Sequence, residues 1–176
     1  PYVPKNSLQK PISFPIYRES PKKIYVPRYY GIETYGEPEK NLLNNGDDIN
    51  IEFNGELRDF QKPIVNSYLK AAYKNGGGLL EIHTGAGKTV MGLNIIAQLK
   101  KKTLIIVHKE FLLRQWIERI EQFLPNAKVG KIQGEVIDIE NKDIVIGMLQ
   151  SLSMKDYPKS IFDSFGLSVY DECHHI

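Results

Sequence analysis

The stretch from Gly77 to Val90, GGLLEIHTGAGKTV, constrains this chain more than any other. The apolar run Leu79-Leu80-Glu81-Ile82 predicts a strand, a glycine-rich turn follows, and Lys88-Thr89 opens a segment of helical spacing through Ile96. Strand, glycine loop, Lys-Thr and helix, in that order, build a phosphate cradle. Gly85 and Gly87 lack Cβ atoms, so the loop can turn its N–H groups inward and let a polyphosphate approach closely. Those amides open a helix, whose partial positive charge favours the anion. In this pattern Ile82, His83, Thr84, Gly85, Ala86 and Gly87 line the nucleotide phosphates. Lys88 reaches the β/γ-phosphates, and the Thr89 hydroxyl ligands Mg²⁺. The full pattern has a glycine where Ile82 stands, which leaves a plain glycine turn as the alternative.

A length of 176 residues suffices for one domain with a proper core, or one domain plus an arm. The apolar and charged fractions are those of a soluble globular protein. No apolar run approaches a membrane span, and the N-terminus carries no signal-peptide pattern. A single cysteine, Cys173, rules out an internal disulfide and fits a reducing interior compartment. A net charge of +2 is too small to argue for nucleic acid by itself. The chain starts at Pro1 and stops at Ile176 just after an acidic cluster, so it is expected to be a piece of a longer polypeptide.

Residues 1–48 are read as an arm and linker, and 49–176 as the folded domain. Six of the ten prolines lie in the first 27 residues and six of the ten tyrosines in the first 35. Lys22 to Tyr30 is expected to be extended, with strand or polyproline character. Within residues 1–30, Lys5, Lys10, Arg18, Lys22, Lys23 and Arg28 face only Glu19. Basic residues interleaved with tyrosines suit a nucleic-acid strand; the other reading packs the tyrosines onto the domain behind them. Asn44 to Asp48 reads as a turn. Ile49, Ile51 and Phe53 alternate with polar residues and predict a short half-buried strand. A helix follows with Phe60, Ile64, Tyr68 and Ala72 on one face, Pro63 near its start and Gly76-Gly77-Gly78 as its stop.

Beyond the loop helix, Lys100-Lys101-Lys102 sits where cations favour a helix C-terminus and needs no ligand to explain it. Thr103–Val107 reads as a strand of a parallel sheet covered on both faces. A helix is expected from Glu110 to Leu124, burying Leu112, Trp116 and Ile120, so the single tryptophan is read as core. Lys128–Gln133 and Asp143–Ile146 read as further strands, 158–164 as a short helix, and Leu167–Tyr170 as a strand entering Asp171-Glu172. Alternating strands and helices predict an α/β fold with a parallel sheet.

Asp171-Glu172 at a strand end supplies what a phosphate loop needs. One carboxylate holds Mg²⁺ through its water shell, and the other positions or deprotonates the attacking water. Lys88, Asp171 and Glu172 are therefore the candidate catalytic residues, with Thr89 and Asp171 on the metal. Cys173, His174 and His175 are discounted as a zinc site, because no second cysteine exists and the spacing is too tight.

Together these stretches resemble the first RecA-like domain of a superfamily 2 helicase of the DExH type. HTGAGKT resembles motif I, DECH at Asp171 to His174 resembles motif II, and LRDFQ at Leu57 to Gln61 resembles the glutamine motif. VHKEFLLRQW at Val107 to Trp116 resembles motif Ia, and KVGKIQG with DIVIGMLQSLS resembles motifs Ib and Ic. The resemblance extends to helicases of large cytoplasmic DNA viruses, similar to the poxvirus transcript-release helicase, and more distantly to XPB-type helicases. It covers about Asn54 to Ile176 and implies a RecA-like P-loop parallel sheet with helices on both faces. It also implies ATP and Mg²⁺ as cofactors, DNA or RNA as partner, a second RecA-like lobe, and a location in cytoplasm or virion with a part in viral transcription.

The same resemblance implies residue roles. Gln61 would read adenine through its amide, with Arg58 beside it; without the motif Gln61 reads as a solvated helix residue. His108, Lys109, Gln150 and Ser151 would face nucleic-acid phosphates, although a turn-cap role is equally open for Gln150 and Ser151. His174 would couple ATP state to the nucleic-acid side. The sequence departs from the family's pattern at Ile82, His108, Ser168 and Tyr170. In the family, the strand bearing motif III lies between the phosphate-loop and motif II strands, and residues 1–176 stop before it. The expected function is that of an ATP-dependent nucleic-acid helicase or translocase. The alternatives are a P-loop NTPase acting on a small molecule and a nucleic-acid-binding or scaffold module without turnover.

Overall fold

A computed structural model describes residues 15–173, and they fall into two compact units that divide after Leu43. The prolines at 1, 4 and 11 and the histidines of the DECHH segment lie outside the described residues.

In the first unit, β1 (Arg18–Ser20) and β2 (Lys23–Tyr25) form an antiparallel hairpin, and α1 spans Arg28–Tyr35. The expectation of extended chain through Tyr30 therefore fails beyond Pro27. A proline at the N-cap leaves the following residues free to start a helix, and here they do. Tyr17, Tyr25, Tyr29, Tyr30 and Tyr35 are all exposed, so their rings are not buried. Opposed residues in the hairpin share a face, and Arg18 pairs with Tyr25 and Ser20 with Lys23. Two cations and a ring thus share one face, with Glu19 and Ile24 on the other.

The second unit is built on β3 (Thr103–Val107), every residue of which is buried. It is flanked in parallel by β6 (Ile144–Met148) and β7 (Leu167–Tyr170). β4 (Val129–Gln133) adds in parallel outside β6, and β5 (Val136–Ile137) closes a hairpin on β4, giving the order β5-β4-β6-β3-β7. The period-two pleat divides the buried strand residues between two layers. Ile105, Val107, Ile144 and Ile146 pack with Leu93 and Ile96 of α3 (Lys88–Leu99) and with Leu113, Trp116 and Ile120 of α4 (Glu110–Phe123). Leu104, Ile106, Val145 and Ile132 face the other way. They are covered by α5 (Leu149–Met154) and by the irregular residues Ile139, Tyr157 and Phe165. The expected helix over 158–164 is a single 3-10 turn, Lys159–Phe162.

α2 (Gln61–Asn75) lies against α3, but its buried stripe is Gln61, Val65 and Leu69. The expected stripe of Phe60, Ile64, Tyr68 and Ala72 is rotated by one residue: Phe60 is exposed and Ile64, Tyr68 and Ala72 are half-buried. Packing of Val65 and Leu69 on Met91 and Ile95 decides the rotation, and the polar Gln61 goes with them.

Two expected strands are absent. Ile49 and Ile51 are buried and their neighbours exposed, yet no ladder forms; Ile49 N–H donates to Lys100 O and Asn54 N–H to Phe123 O. Leu79–Ile82 likewise keeps its alternation, with Leu80 and Ile82 packed on the α2–α3 cluster, but has no strand partner. Backbone groups need a neighbouring strand to make a ladder. Among the described residues, β7 is the sheet edge on this side and pairs only with β3.

The lysine run proves structural. Lys101 pairs with Asp48 at 2.7 Å. Buried Lys102 donates to Ile139 O at 3.0 Å and lies 5.3 Å from the Phe165 ring centroid.

Candidate functional site

Between Leu79–Ile82 and the edge strand β7 lies an open cleft of about 760 Å³. Leu79, Leu80, Ile82, Ile95, Leu167 and Val169 form its apolar walls, while Lys88, Thr89, Asp171 and Glu172 form its polar end. Its polar end lies at the C-terminal end of β7, the end of a parallel sheet where open α/β folds bind ligands.

The phosphate loop owes its shape to two glycines. Gly85 has φ +85° and Gly87 has φ +86°, both in the region where a Cβ is costly. Gly87 is also the N-cap of α3, so the loop delivers its amides directly to a helix start. Ala86 is buried, and its carbonyl accepts from Gln61 Nε2 at 2.7 Å. Gln61 Oε1 accepts from Arg58 N–H at 2.9 Å. Gln61 is thus a buried strut between α2 and the loop, and its reading as a solvated helix residue is overturned. Its Nε2 keeps a second N–H and its Oε1 a second lone pair, so reading adenine need not break either bond. Arg58 itself is exposed.

Lys88 Nζ donates to Glu172 Oε1 at 3.1 Å, bringing motif residues 84 positions apart into one ion pair. Each side chain is about one-third exposed, as groups that must meet a ligand should be. Glu172 holds φ +53°, an uncommon conformation for a residue with a Cβ, and such strain clusters at functional sites. Asp171 follows β7, anchored by its N–H to Ile106 O at 3.1 Å. Its Oδ2 accepts from Trp116 Nε1 at 2.9 Å. Thr89 and Asp171 line the same cleft and offer hard oxygen donors. Mg²⁺ characteristically takes few protein oxygens and keeps waters and substrate phosphates, so this donor set fits it.

The four residues expected on the nucleic-acid side gather at the C-terminal ends of the inner strands β3 and β6. His108 and Lys109 follow β3, and Gln150 and Ser151 lie in α5 after β6. Gln150 Nε2 donates to His108 O at 2.8 Å, and Ser151 Oγ accepts from Gly134 N–H at 2.9 Å. Lys109 Nζ lies 5.9 Å from the Phe111 ring centroid. His174 lies outside the described residues.

The apolar face of α4 predicts Trp116 as core, and it is 3% exposed there, but its Nε1 also ties it to the site. A usable signal existed: a buried indole N–H needs an acceptor, and the strand-end carboxylate supplies it.

A parallel sheet carrying a glycine-cradled helix start and an acidic strand end on one edge defines a RecA-like P-loop α/β domain. Residues 54–176 match the ResIII family, described as type III restriction enzyme, res subunit, and the chain belongs to that helicase-domain family. A relative in Acanthamoeba polyphaga mimivirus, named "Putative ATP-dependent RNA helicase", is 35% identical over 99% of this chain and 34% of its own length. The "DNA 3'-5' translocase XPB2" of Sulfurisphaera tokodaii is 32% identical over 85% of this chain and 32% of its own. The chain thus spans about a third of the curated relatives it matches. Among solved structures, the Sulfolobus solfataricus SWI2/SNF2 ATPase core in complex with dsDNA matches 74% of this chain and 28% of its own. Its TM-score is 0.58 at 19% identity, a likeness of fold.

Proposed function

We propose that the intact protein is an ATP-dependent nucleic-acid helicase or translocase, and that this chain supplies the first of its two ATP-gripping lobes. The observation that carries the reading is the Lys88–Glu172 ion pair at the mouth of the phosphate loop. An arriving triphosphate competes with Glu172 for the Lys88 ammonium. Once displaced, the Glu172 carboxylate is released to orient and deprotonate a water against the γ-phosphate. The loop amides and the α3 N-terminus take up charge on the phosphates. Thr89 and Asp171 would hold Mg²⁺, which when bound neutralises charge developing on the β- and γ-oxygens. Transfer of the nucleotide state to a strand track would run through His174, two residues past Glu172 in sequence, to the nucleic-acid side, where Gln150 bonds to His108 O. Residues up to 43, not 48, serve as an arm, since Asp47 and Asp48 already bond to the lobe formed by the rest, and the protein works in the cytoplasm or virion.

The apolar cleft supports a second part of the same reading, that a further strand completes the sheet between Leu79–Ile82 and β7. Polyphosphate needs no leucine and valine walls, whereas a strand with two bare neighbours does. The deciding experiment measures ATP hydrolysis by the intact protein alone and with single-stranded DNA, single-stranded RNA or duplex. Stimulation by one of them is expected, and it names the track. An ATPase indifferent to all three would move the protein to the small-molecule NTPases.

A further inference from the structure

Trp116 lies two turns into α4, and a helical side chain leans back toward the helix N-terminus. That direction carries its indole toward the strand ends, where Nε1–H meets Asp171 Oδ2 at 2.9 Å across 55 residues of sequence. The other edge of the ring rests on α3. A Cβ at Gly92 would stand 3.2 Å from the ring's Cη2, so glycine there lets the indole lie flush between the two helices. The ring is 3% exposed, and its position is over-determined by α3, α4 and the sheet.

An indole N–H can only donate, so it can neither ligate a metal nor take a proton. Its bond holds one carboxylate oxygen and leaves Oδ1 of Asp171 as the oxygen to face the metal. We propose that Trp116 is a positioning residue for the metal: it fixes the rotation of the Asp171 carboxylate and thereby ties α4 to the nucleotide site. This rests on the reading of Thr89 and Asp171 as Mg²⁺ ligands. Hydrogen-bond partners of metal-bound carboxylates typically govern metal affinity by about 10- to 100-fold.

The test replaces Mg²⁺ with Mn²⁺ and titrates it by electron paramagnetic resonance into the intact protein saturated with a non-hydrolysable ATP analogue. Trp116→Phe keeps a ring and removes the donor. Its expected effect is Mn²⁺ binding weakened by about 10-fold or more, with analogue affinity in excess EDTA unchanged. Equal losses in both measurements, or no loss in either, would overturn the inference. Asp171→Asn separates the two layers of the reading. If it leaves Mn²⁺ affinity intact, the metal assignment itself fails; if it weakens binding while Trp116→Phe does not, only the positioning role fails. Should Trp116→Phe not fold, Gly92→Ala presses the ring by a few tenths of an ångström from the α3 side, and a smaller loss of Mn²⁺ affinity at unchanged analogue affinity is expected; no loss, or an equal loss in both, would overturn the inference.

Discussion

The strut between Gln61 and the phosphate loop gives a sharp quantitative prediction, because the two loop glycines share a φ and differ in what an added Cβ would meet. Both have φ near +86°, so replacing either by alanine places a Cβ in the left-handed region at a cost of about 1–2 kcal/mol. Around Gly85 the added Cβ meets nothing within 4 Å; around Gly87 it would stand 2.6 Å from Gln61 Nε2. That nitrogen cannot move away freely. It belongs to a side chain 3% exposed and holds the Ala86 carbonyl at 2.7 Å, so displacement orphans a buried amide and a buried carbonyl. An orphaned buried polar group costs about 1–3 kcal/mol. Gly85→Ala should therefore destabilise by about 1–2 kcal/mol, and Gly87→Ala by about 2–5 kcal/mol.

A double-mutant cycle isolates the difference. In a Gln61→Ala background the obstruction is gone, and Gly87→Ala should fall back to the backbone cost alone. The coupling between positions 61 and 87 is then about 1–3 kcal/mol, well above the roughly 0.3–0.5 kcal/mol within which independent sites add. Urea unfolding followed by far-ultraviolet circular dichroism on the four proteins measures it. Equal losses for the two glycine variants would refute the reasoning, as would additivity at 61 and 87.

Other predictions concern the reaction and the arm. Lys88→Ala and Glu172→Gln should each abolish ATP hydrolysis by the intact protein, and Glu172→Gln should still bind ATP in equilibrium dialysis; loss of binding would contradict its role toward water. Residues 1–176 alone should hydrolyse ATP negligibly and unfold at low denaturant, an expectation that robust nucleic-acid-stimulated turnover by this segment would sink. In the hairpin, neutralising Arg18 and Lys23 should lower the salt dependence of nucleic-acid binding by about one unit of slope per lost phosphate contact. Tyr25→Ala should cost about 1–3 kcal/mol of single-strand affinity. Fluorescence anisotropy at several salt concentrations reads both, and unchanged slopes and affinities would leave the arm's basic face a solvated surface.

What was legible in the sequence followed local chemistry. The apolar runs at 103–107 and 143–146 needed no tertiary knowledge to be read as strands, because apolar side chains on both pleat faces have no other use, and the second extends to Met148 in the structure. Lys88-Thr89 and Asp171-Glu172 were legible as one site because phosphate chemistry needs a cation, a hydroxyl and carboxylates together. The rotation of α2 was not legible. Phe60, Ile64 and Tyr68 make as good an apolar stripe as Val65 and Leu69, and only the surface of α3 chooses between them. Nor could the sequence show that Gln61, a polar residue at a helix start, is buried because the phosphate loop presents it a carbonyl.

The run Leu79–Ile82 separates what a segment prefers from what it can do. Its alternation is intact, with Leu80 and Ile82 inward and Leu79 and Glu81 outward, so the side chains behave as a strand's should. Its backbone does not, because a ladder is a property of pairs, and the nearest sheet edge stands across a cleft of about 760 Å³. Ile49–Phe53 alternates too, but Ile49 N–H bonds to Lys100 O and the following Asn54 N–H to Phe123 O, both at helix ends. The same pattern thus has two different outcomes. A strand inserted into the cleft would pair with β7 on one side and Leu79–Ile82 on the other, and would stiffen the base of the phosphate loop. Hydrogen exchange should then show Leu79–Ile82 amides protected in the intact protein and fast in residues 1–176, while Ile49–Phe53 exchanges alike in both; equal exchange at Leu79–Ile82 would leave the cleft a permanent feature of the fold.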